Sequence, residues 1–577
     1  MKIQNITPQK QNNTQESLPQ FTGATAVITG GLRFFETNQA WGANAVDLGS
    51  MVIPRTWTDM KKRGIQAGTE TGIRESCGTF NHSMIGLYGT AAGFFLAKSF
   101  NNKFGIKADK IFADNNAISI MTKDLDEVVK EHLDEGKEIT VKDGNFTRLA
   151  PEIKQKYAQK ITEKISTFNN GYRSIADTEK SDVAKTIEEV MSKAEEIKGI
   201  KLSKSEKKEA VNFFNEKIDY LTSLISESTG GKERAKLAND KKESFGTLNT
   251  TVKNIVNVSR TFVQDKVIDT FKNTQNINDN VFVKGLKTLN LKRSAFGLGF
   301  AALFGMSVQP LNRLYTKKRT GNDGFVGVQG RKKDKSKSFA VMKTIAGLML
   351  GTFALSTITT KPSKFLSKLQ FKGKTPTINQ LKFIYGMTIM SRLFVARDKD
   401  ELRESAIKDT LGFLNLLVIG SLVTKAAVMA MGKGKNLLNT DEKSTNVFKR
   451  FINSTVKTKD EVLIEGLING TQKAEKKTTA SGKALSFSDL MRKLPKEATA
   501  TRKKLWILNA AQVIGYAYSA LVLGIGIPRL NIYMTNKREA RNAAKLAAEN
   551  NSFDEKNNIN NDFLKSKMVN FYGNVTN

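Results

Sequence analysis

Long runs without any charged residue alternate along this chain with stretches in which charged residues are dense. The longest uncharged run extends from Leu505 to Pro528 and contains 24 residues. A helix needs about 20 mostly apolar residues to cross a hydrocarbon layer of about 30 Å. Trp506 and Tyr533 lie near the two ends of this run, where amphipathic rings favour the membrane interface. The pattern therefore predicts a last membrane helix within residues 502–535.

Four other runs have the same apolar character and contain at most one charged residue. They cover residues 77–97, 294–312, 344–360 and 410–431. Lys425 lies inside the last of these runs, and its long side chain can extend toward the interface. We therefore expect an all-α protein with about four or five membrane-embedded helices.

Residues 99–290, between the first and second apolar runs, have dense and balanced charges with apolar positions at helical spacing. Two narrow stripes are formed by Val183, Ile187, Val190, Ala194 and Ile197, and by Val211, Phe214, Ile218, Leu221 and Ile225. Ser203 and Glu206 have the spacing of a capping box. Narrow stripes with charged opposite faces are typical of amphipathic helices in bundles or coiled coils. This region is predicted to be a soluble helical bundle, which serves either as a spacer or as a surface for a protein partner.

The remaining boundaries follow from changes in composition along the chain. We expect a leader at 1–24, an N-terminal region at 25–98, membrane helices within 291–432, a basic polar linker at 433–501 and a polar tail at 536–577. The leader is polar, lacks a periodic apolar face and ends in the sequence QFTG, from Gln20 to Gly23. It resembles the short polar leaders, ending in Phe-x-Gly, of uncharacterised proteins from gut bacteria related to cyanobacteria. That resemblance implies a bacterial source and a shared N-terminal tag, and it implies no activity.

The positive charge of the chain is concentrated in its second half. The formal net charge is +35, and residues 291–577 carry 49 Lys and Arg against 20 Asp and Glu. Basic residues beside apolar runs indicate contact with anionic lipid headgroups. The residues expected at the headgroups flank two of the predicted helices: Arg331, Lys332, Lys333, Arg502, Lys503 and Lys504. Nucleic acid is a less favoured partner, because its binders more often interleave basic and aromatic residues on one face.

Small residues four apart suggest how the membrane helices pack, because such residues let helix backbones approach closely in lipid. The positions are Gly89 and Gly93, Gly347 and Gly351, and Ala511, Gly515 and Ser519. We expect the last membrane helix to pack with this face against one of the other two pairs.

The side chains that most often carry chemistry are scarce. The chain has one cysteine, Cys77, and two histidines, which exclude a disulfide framework and disfavour a Cys/His zinc site. No phosphate-binding loop, nucleophile elbow or calcium loop is recognisable. The glycine-rich segment Gly321 to Lys333 is expected to be a polar loop between two membrane helices. We therefore predict no catalytic residue, cofactor, metal or small-molecule substrate.

The sequence favours a multi-pass protein of a bacterial inner membrane, with a structural or scaffold role. Two alternatives stay open: a transporter or pore component, and a soluble basic protein that binds nucleic acid. Both flanks of nearly every apolar run are basic, so the distribution of Lys and Arg does not determine the orientation in the membrane.

Overall fold

The computed structural model describes most of the chain between residues 24 and 554. The undescribed residues are 1–23, most of 38–46, 144–145, 169–171, 230–233, 329, 416–418, 434, 441–449, 453, 471–490, 492–497 and 555–577, and side chains beyond 545 are also left out. The predicted leader with its QFTG sequence, and most of the predicted linker, therefore lie outside the described residues.

The described chain is predominantly helical. In chain order, the α-helices are α1 Ala24–Thr37, α2 Ile53–Arg63, α3 Ile65–Phe104, α4 Asn115–Asp134, α5 Pro151–Glu163, α6 Asp177–Glu196, α7 Lys204–Ser228, α8 Leu248–Phe262, α9 Asp265–Lys272, α10 Val281–Thr320, α11 Lys337–Ser356, α12 Phe365–Lys368, α13 Ile378–Phe394, α14 Lys399–Leu414, α15 Gly420–Met431, α16 Lys459–Gly470, α17 Thr499–Tyr518 and α18 Ile527–Asp554. Two π-helical segments, Asp47–Val52 and Ser519–Gly526, precede α2 and join α17 to α18.

Short antiparallel strands accompany the helices. They are β1 Thr140–Asp143, β2 Phe146–Leu149, β3 Ile165–Phe168, β4 Tyr172–Ser174, β5 Arg234–Ala238, β6 Glu243–Thr247, β7 Leu438–Asn439 and β8 Thr455–Val456. The largest sheet has the order β4-β3-β5-β6, with Ser166 opposite both Ser174 and Lys236. Its Ala235 and Leu237 are buried in the same core as helices α4 to α8.

The predicted all-helical bundle at 99–290 is therefore wrong in part, because six strands lie within it. Ile165, which continues the apolar spacing of α5, instead begins β3. The strands are only three to five residues long, and strands such as β2 (FTRL) and β3 (ISTF) do not alternate apolar with polar residues, so they leave little pattern in the sequence. The capping box of Ser203 and Glu206 is confirmed at the start of α7. The first stripe is buried on α6 except for Ile197, which follows the helix and is half-buried. Val211, at the start of the second stripe, is exposed.

Two unusually long helices, α3 and α10, form the axis of the molecule. Each has 40 residues, or about 60 Å at 1.5 Å per residue. They run antiparallel, because Gly297 lies against the backbone of Gly89 while the Asn312 side chain donates to the carbonyl of Glu70 at 2.8 Å. The small residues at this crossing allow the two backbones to touch.

One end of this helix pair is built into the core of the domain between residues 106 and 289. Phe104 of α3 and Phe282 of α10 are buried there, with ring centroids 5.4 Å apart. Leu286 and Leu289 extend the same core along α10. The pair thus continues into the domain without a linker.

The other apolar helices form two groups, of which the first contacts the pair through α13. In the first, α11 and α13 run antiparallel, with Gly347 against Phe394 and Gly351 against Met390. In the second, α15 packs on α17, where Gly515 lies against Thr424. The π-helical segment after α17 then contacts the one before α2.

By length and composition, three described helical segments are able to cross a membrane. They are Val281–Thr320, Lys337–Ser356 and the continuous run Thr499–Lys545. The first contains the predicted segment 294–312, the second contains the predicted segment 344–360 up to Ser356, and the third contains the predicted last helix at 502–535. The predicted segment 410–431 is divided between α14 and the 12-residue helix α15, which is apolar but short. The predicted segment 77–97 lies in α3 but falls outside this group, because its glycines and polar residues such as Asn81 and His82 lower its mean hydropathy.

These helices have their large apolar side chains on the outside and their small residues inside. On α10, Phe296, Phe300 and Leu303 are exposed, whereas Gly297 and Ala301 are buried. The same inversion occurs on α3, with Phe80, Leu87 and Phe94 outside, and on α11, with Ile345, Leu348 and Met349 outside. Contiguous exposed apolar surface of this kind marks an interaction site for membrane or protein. We call this surface the apolar belt.

The close approach of α3 and α10 makes a direct prediction about Gly297. A methyl group at this position would lie 2.8 Å from the Cα of Gly89, whereas one at Gly299 on the same helix would meet no atom within 4 Å. We expect Gly297→Ala to destabilise the fold by about 1–3 kcal/mol through overpacking. Gly299→Ala should be neutral or stabilising by up to about 1 kcal/mol, because alanine favours the helix. Thermal melting in detergent measures both, and equal melting temperatures would contradict the packing.

Candidate functional site

Charged side chains gather where α2, α3, α10, α13 and α14 meet, at the end of the helix pair opposite the domain. We call this cluster the ionic layer. Its members are Arg55, Asp59, Arg63, Glu70, Arg74, Glu75, Arg313, Arg392, Arg397, Asp398, Asp400, Glu401, Glu404, Lys408 and Asp409. Most of them are buried, and isolated charges are costly to bury, so each must find a partner.

Glu401 is the most heavily bonded carboxylate of the layer. It accepts hydrogen bonds from the backbone N–H of Arg397 at 2.6 Å, from the Arg397 side chain, and from Arg313 at 2.9 Å. Arg397 also donates to both carboxylate oxygens of Glu70. Burial alone would raise the pKa of Glu401, but the charges of Arg313 and Arg397 together outweigh it and lower the pKa to about 2. Glu401 thus stays ionised at physiological pH.

A second group joins α2 to α14. Arg63 donates to Glu404 at 2.8 Å, while Thr71 donates to Asp59 at 2.6 Å. The Lys408 ammonium lies 4.0 Å from Asp59. Burial lowers the pKa of Lys408 to about 8, although Asp59 acts in the opposite direction. Lys408 therefore loses its proton more readily than an exposed lysine does.

A third group involves the π-helical segment after α17. Arg55 donates to Glu75 at 3.2 Å and to the backbone carbonyl of Leu523 at 3.1 Å. Arg392 pairs with Asp409 beside them. The ionic layer therefore fastens the last apolar helical run to the N-terminal helices as well as to α14.

Two small polar cavities adjoin the layer and share Arg392. The first cavity has a volume of about 20 Å³, which is room for one or two water molecules. Its wall includes Asp59, Glu70, Glu401 and Lys408. The second gives about 30 Å³ and is lined by Asp47, Glu75, Thr79, His82, Tyr385, Arg392 and Asp409. Neither has room for an organic substrate.

The glycine-rich segment expected to be a polar loop in fact covers the first cavity. Phe325 is buried, and its ring lies 5.3 Å from the Arg63 guanidinium and 6.0 Å from that of Arg397. A cation over an aromatic face is attracted by the ring quadrupole. Phe325 therefore shields the ionic layer from solvent on this side.

The second cavity contains the one histidine of the apolar helices. His82 stacks on Tyr385 with ring centroids 5.6 Å apart, and its Nδ1 lies 3.9 Å from Asp47. Toward the domain, Ile85, Leu298, Phe371 and Ile384 form a buried apolar cluster. The described residues hold no group of three or more His, Cys, Asp or Glu side chains suited to a metal ion.

No protein-family model, curated protein or solved structure matches this chain. Its function is therefore argued from geometry.

The small residues that the sequence singles out are all buried at helix contacts, with partners other than those expected. Gly89 contacts Gly297 and Phe371, and Gly93 lies against the Arg293 side chain. Ala511, Gly515 and Ser519 are buried on the α17 side, where Gly515 meets Thr424 of α15. Gly347 and Gly351 receive side chains of α13 instead of α17. The last helix thus packs on α15, a pairing that glycine spacing alone does not specify.

The basic residues expected at lipid headgroups fall into two groups. Arg331 belongs to the protein's own charge network, because it pairs with Asp398, Asp400 and Glu539. Lys332, Lys333 and Lys503 are exposed, while Arg502 and Lys504 are partly buried. Headgroup contact at Arg331 is therefore disfavoured, since its guanidinium is already neutralised.

The ionic layer itself is not apparent in the sequence. Charges four apart, such as Asp59 with Arg63 and Arg397 with Glu401, indicate local pairs on a helix. The pairs that matter most join distant segments: Glu70 and Arg397 are 327 positions apart. Such pairs leave no local spacing to detect.

Removing the charge of Glu401 should destabilise the protein severely. Glu401→Gln leaves Arg313 and Arg397 without their shared carboxylate, and breaking a buried pair costs about 3–5 kcal/mol. Glu127→Gln is the matched control, because Glu127 is only partly buried and pairs with Lys123 and Lys160 at the surface of the domain. We expect that control to cost less than about 1 kcal/mol. Similar melting temperatures in detergent for the two variants would show that the layer contributes little.

The same group predicts how stability depends on pH. The folded pKa of Glu401, about 2, lies below its ordinary value of 4.5, so its contribution is complete above pH 4.5. That contribution decreases as the pH falls from 4.5 toward 2. The difference in melting temperature between the wild type and Glu401→Gln should therefore shrink over this range. A difference that is constant from pH 7 to pH 3 would contradict the assignment.

Proposed function

We propose that this chain is a multi-pass membrane protein of a bacterial inner membrane, with a structural role. Its apolar helices are embedded in the bilayer and hold the domain between residues 106 and 289 at one membrane face. The observation that carries the proposal is the continuity of α3 and α10, which pass from the apolar belt into the domain core as unbroken helices. A domain connected in this way cannot swing as one on a flexible linker does.

The spacing of charges along the helices supports embedding. On α10, no charged residue lies between Arg293 and Arg313, an interval of about 30 Å along a helix axis, which equals the hydrocarbon thickness. The apolar belt covers this interval. Arg313 belongs to the ionic layer at one end, and Arg293 binds the carbonyls of Ala108 and Asp109 at the other. At both boundaries the arginine side chain therefore has protein partners, a carboxylate for Arg313 and backbone carbonyls for Arg293.

An uncharged interval of the same kind supports the embedding of α3 beside α10. Residues 76–97 of α3 carry no Asp, Glu, Lys or Arg, and they begin directly after Glu75 of the ionic layer. Their polar side chains face protein: the Asn81 amide donates to the Ala301 carbonyl of α10 at 2.9 Å. A helix can contain such residues in lipid when a neighbouring helix satisfies them. Counting α3 in this way adds a fourth helix to the three long apolar segments.

A transport function is the second candidate, favoured by the polar cavity beside His82. The cavity lies among titratable groups on four elements, and ionisable residues at membrane depth often mark ion or proton paths. The apolar cluster of Ile85, Leu298, Phe371 and Ile384 separates it from the domain side, so the described structure is closed there. We favour the structural role, because the charges around the cavity are paired with one another.

Cysteine accessibility tests the embedding, and the single natural cysteine simplifies the design. In a Cys77→Ala background, Leu303→Cys places a thiol in the apolar belt, and Lys201→Cys places one on the domain surface. Leu303 is 70% exposed in the protein alone, so only lipid can shield it. We expect a water-soluble maleimide to label residue 201 and spare residue 303 in opened membranes, with both labelled after solubilisation and unfolding.

Carbonate extraction provides the complementary measurement on the full chain. The protein should stay in the membrane pellet at high pH, because embedded helices are not released with peripheral proteins. Release into the supernatant, together with rapid labelling at residue 303, would overturn the proposal. Ion flux through vesicles containing the purified protein would instead support the transport candidate.

A further inference from the structure

We propose that the turn between α11 and α13 binds the headgroups of anionic phospholipids. The turn, called the lysine turn here, comprises Lys361, the 3-10 helix Pro362–Lys364 and α12 Phe365–Lys368. The inference rests on the proposed membrane embedding and goes beyond it by naming the ligand class and the residues that bind it.

The lysine turn lies at the height where headgroups are found. Between Lys343 and Lys361 the chain has 17 residues without a charge, and α11 ends within them at Ser356. Phe353, in the last turn of that helix, is exposed and belongs to the apolar belt. Lys382 of α13 donates to the carbonyl of Thr357 at 3.2 Å, at the same end of the hairpin. The basic residues therefore begin where the apolar surface stops.

The three lysines of the turn lack a protein counterion in the part of the chain that the structure describes. Lys361, Lys364 and Lys368 are exposed, and none of them belongs to an ion pair there. The sequence contains no Asp or Glu between Asp334 and Asp398. This differs from Arg331, which meets three carboxylates, and from Lys372, which lies 3.3 Å from Asp114. The positive charge of the turn remains available to phosphate.

An apolar side chain accompanies these charges. Leu366 is 56% exposed between Lys364 and Lys368, whereas the neighbouring Phe365 packs on Phe383 with ring centroids 6.1 Å apart. Lysines around an exposed leucine are typical of surfaces that lie in the interface, with the apolar group toward the acyl chains. A free phosphate ion offers no partner for Leu366, so the combination favours a lipid.

The backbone that carries the turn is fixed by contacts on its C-terminal side. Gln380 donates to the carbonyl of Leu369 at 2.9 Å, and the N–H of Phe371 donates to Ser294 at 3.0 Å. Gln370 accepts from the N–H of Asn115, which joins the turn to the domain. A fixed backbone loses less entropy when it binds a ligand than a flexible loop does. The turn thus presents its lysines at a constant height.

The test uses the full chain purified in a neutral detergent and titrated with phosphatidylglycerol or phosphatidylcholine. Native mass spectrometry measures the Kd of the first bound lipid. The wild type should bind phosphatidylglycerol more tightly than phosphatidylcholine. The triple variant Lys361→Gln, Lys364→Gln, Lys368→Gln should lose about tenfold or more in phosphatidylglycerol affinity, since each basic residue near a headgroup adds to the attraction.

Three controls determine what a loss of affinity means. The triple variant Lys201→Gln, Lys207→Gln, Lys208→Gln removes the same charge from an exposed stretch of the domain and should bind like the wild type. The charge-preserving replacement of the three turn lysines by arginine should retain the affinity. Inorganic phosphate at millimolar concentration should not displace the lipid. Unchanged melting temperatures establish that all the variants are folded.

The outcomes separate this proposal from the embedding on which it rests. If the glutamine variant of the turn keeps its preference for phosphatidylglycerol, or the domain variant loses as much, the lysine turn is not the site. Displacement by inorganic phosphate would assign the turn to free anions instead of lipid. Failure of the embedding itself would appear differently, as release of the wild type by carbonate.

Discussion

The constraint on which the structure depends is that charges buried among helices must neutralise one another. In the ionic layer, arginines and carboxylates from five helices meet within hydrogen-bonding distance. A single replacement leaves an uncompensated charge, so the helices are tied to one relative arrangement. Buried ion pairs contribute less to net stability than well-packed apolar groups of the same size. The small-residue faces of these helices could pack against several partners. The ion pairs of the ionic layer select one arrangement among them.

The helix pair α3 and α10 connects the ionic layer with the domain at the opposite end of the two helices. At the ionic layer, Asn312 reaches the backbone of Glu70; near the middle, Gly297 touches Gly89; at the far end, Phe104 and Phe282 enter the domain core. Because both helices are continuous, the ionic layer and the domain core are built on the same two helices. The apolar belt surrounds the part between these two ends. The proposed scaffold role rests on this continuity, and the proposed lipid site at the lysine turn would add a contact with the membrane surface at the domain end.

Local features of the fold could be predicted from the sequence, and long-range ones could not. The uncharged run Leu505 to Pro528 does lie in a long helical segment, and the capping box at Ser203 starts a helix, because both depend on neighbouring residues. The strands β1 to β6 were not predicted, because they are short and lack a clear alternation of apolar and polar residues. The pairing of β3 with β5 also joins residues about seventy positions apart. Glycine spacing locates faces that pack, as at Gly515, yet the partner is chosen by the whole assembly. The candidate site escaped prediction for the same reason: Glu70 and Arg397 form a pair only in three dimensions.

The ionic layer can form only late in synthesis, because several of its partners are far apart in the chain. Arg63 and Glu70 are made early, but the partners with which they form two hydrogen bonds each, Glu404 and Arg397, follow 341 and 327 positions later. Contacts between such distant segments form slowly, because a long loop must close before they are made. Until then the early helices carry unpaired charges beside their apolar faces. In a chain truncated before Arg397, those charges would stay unpaired. An incomplete product would therefore expose unpaired charges beside apolar surface, as unfolded chains do, and would be a target for quality-control proteases.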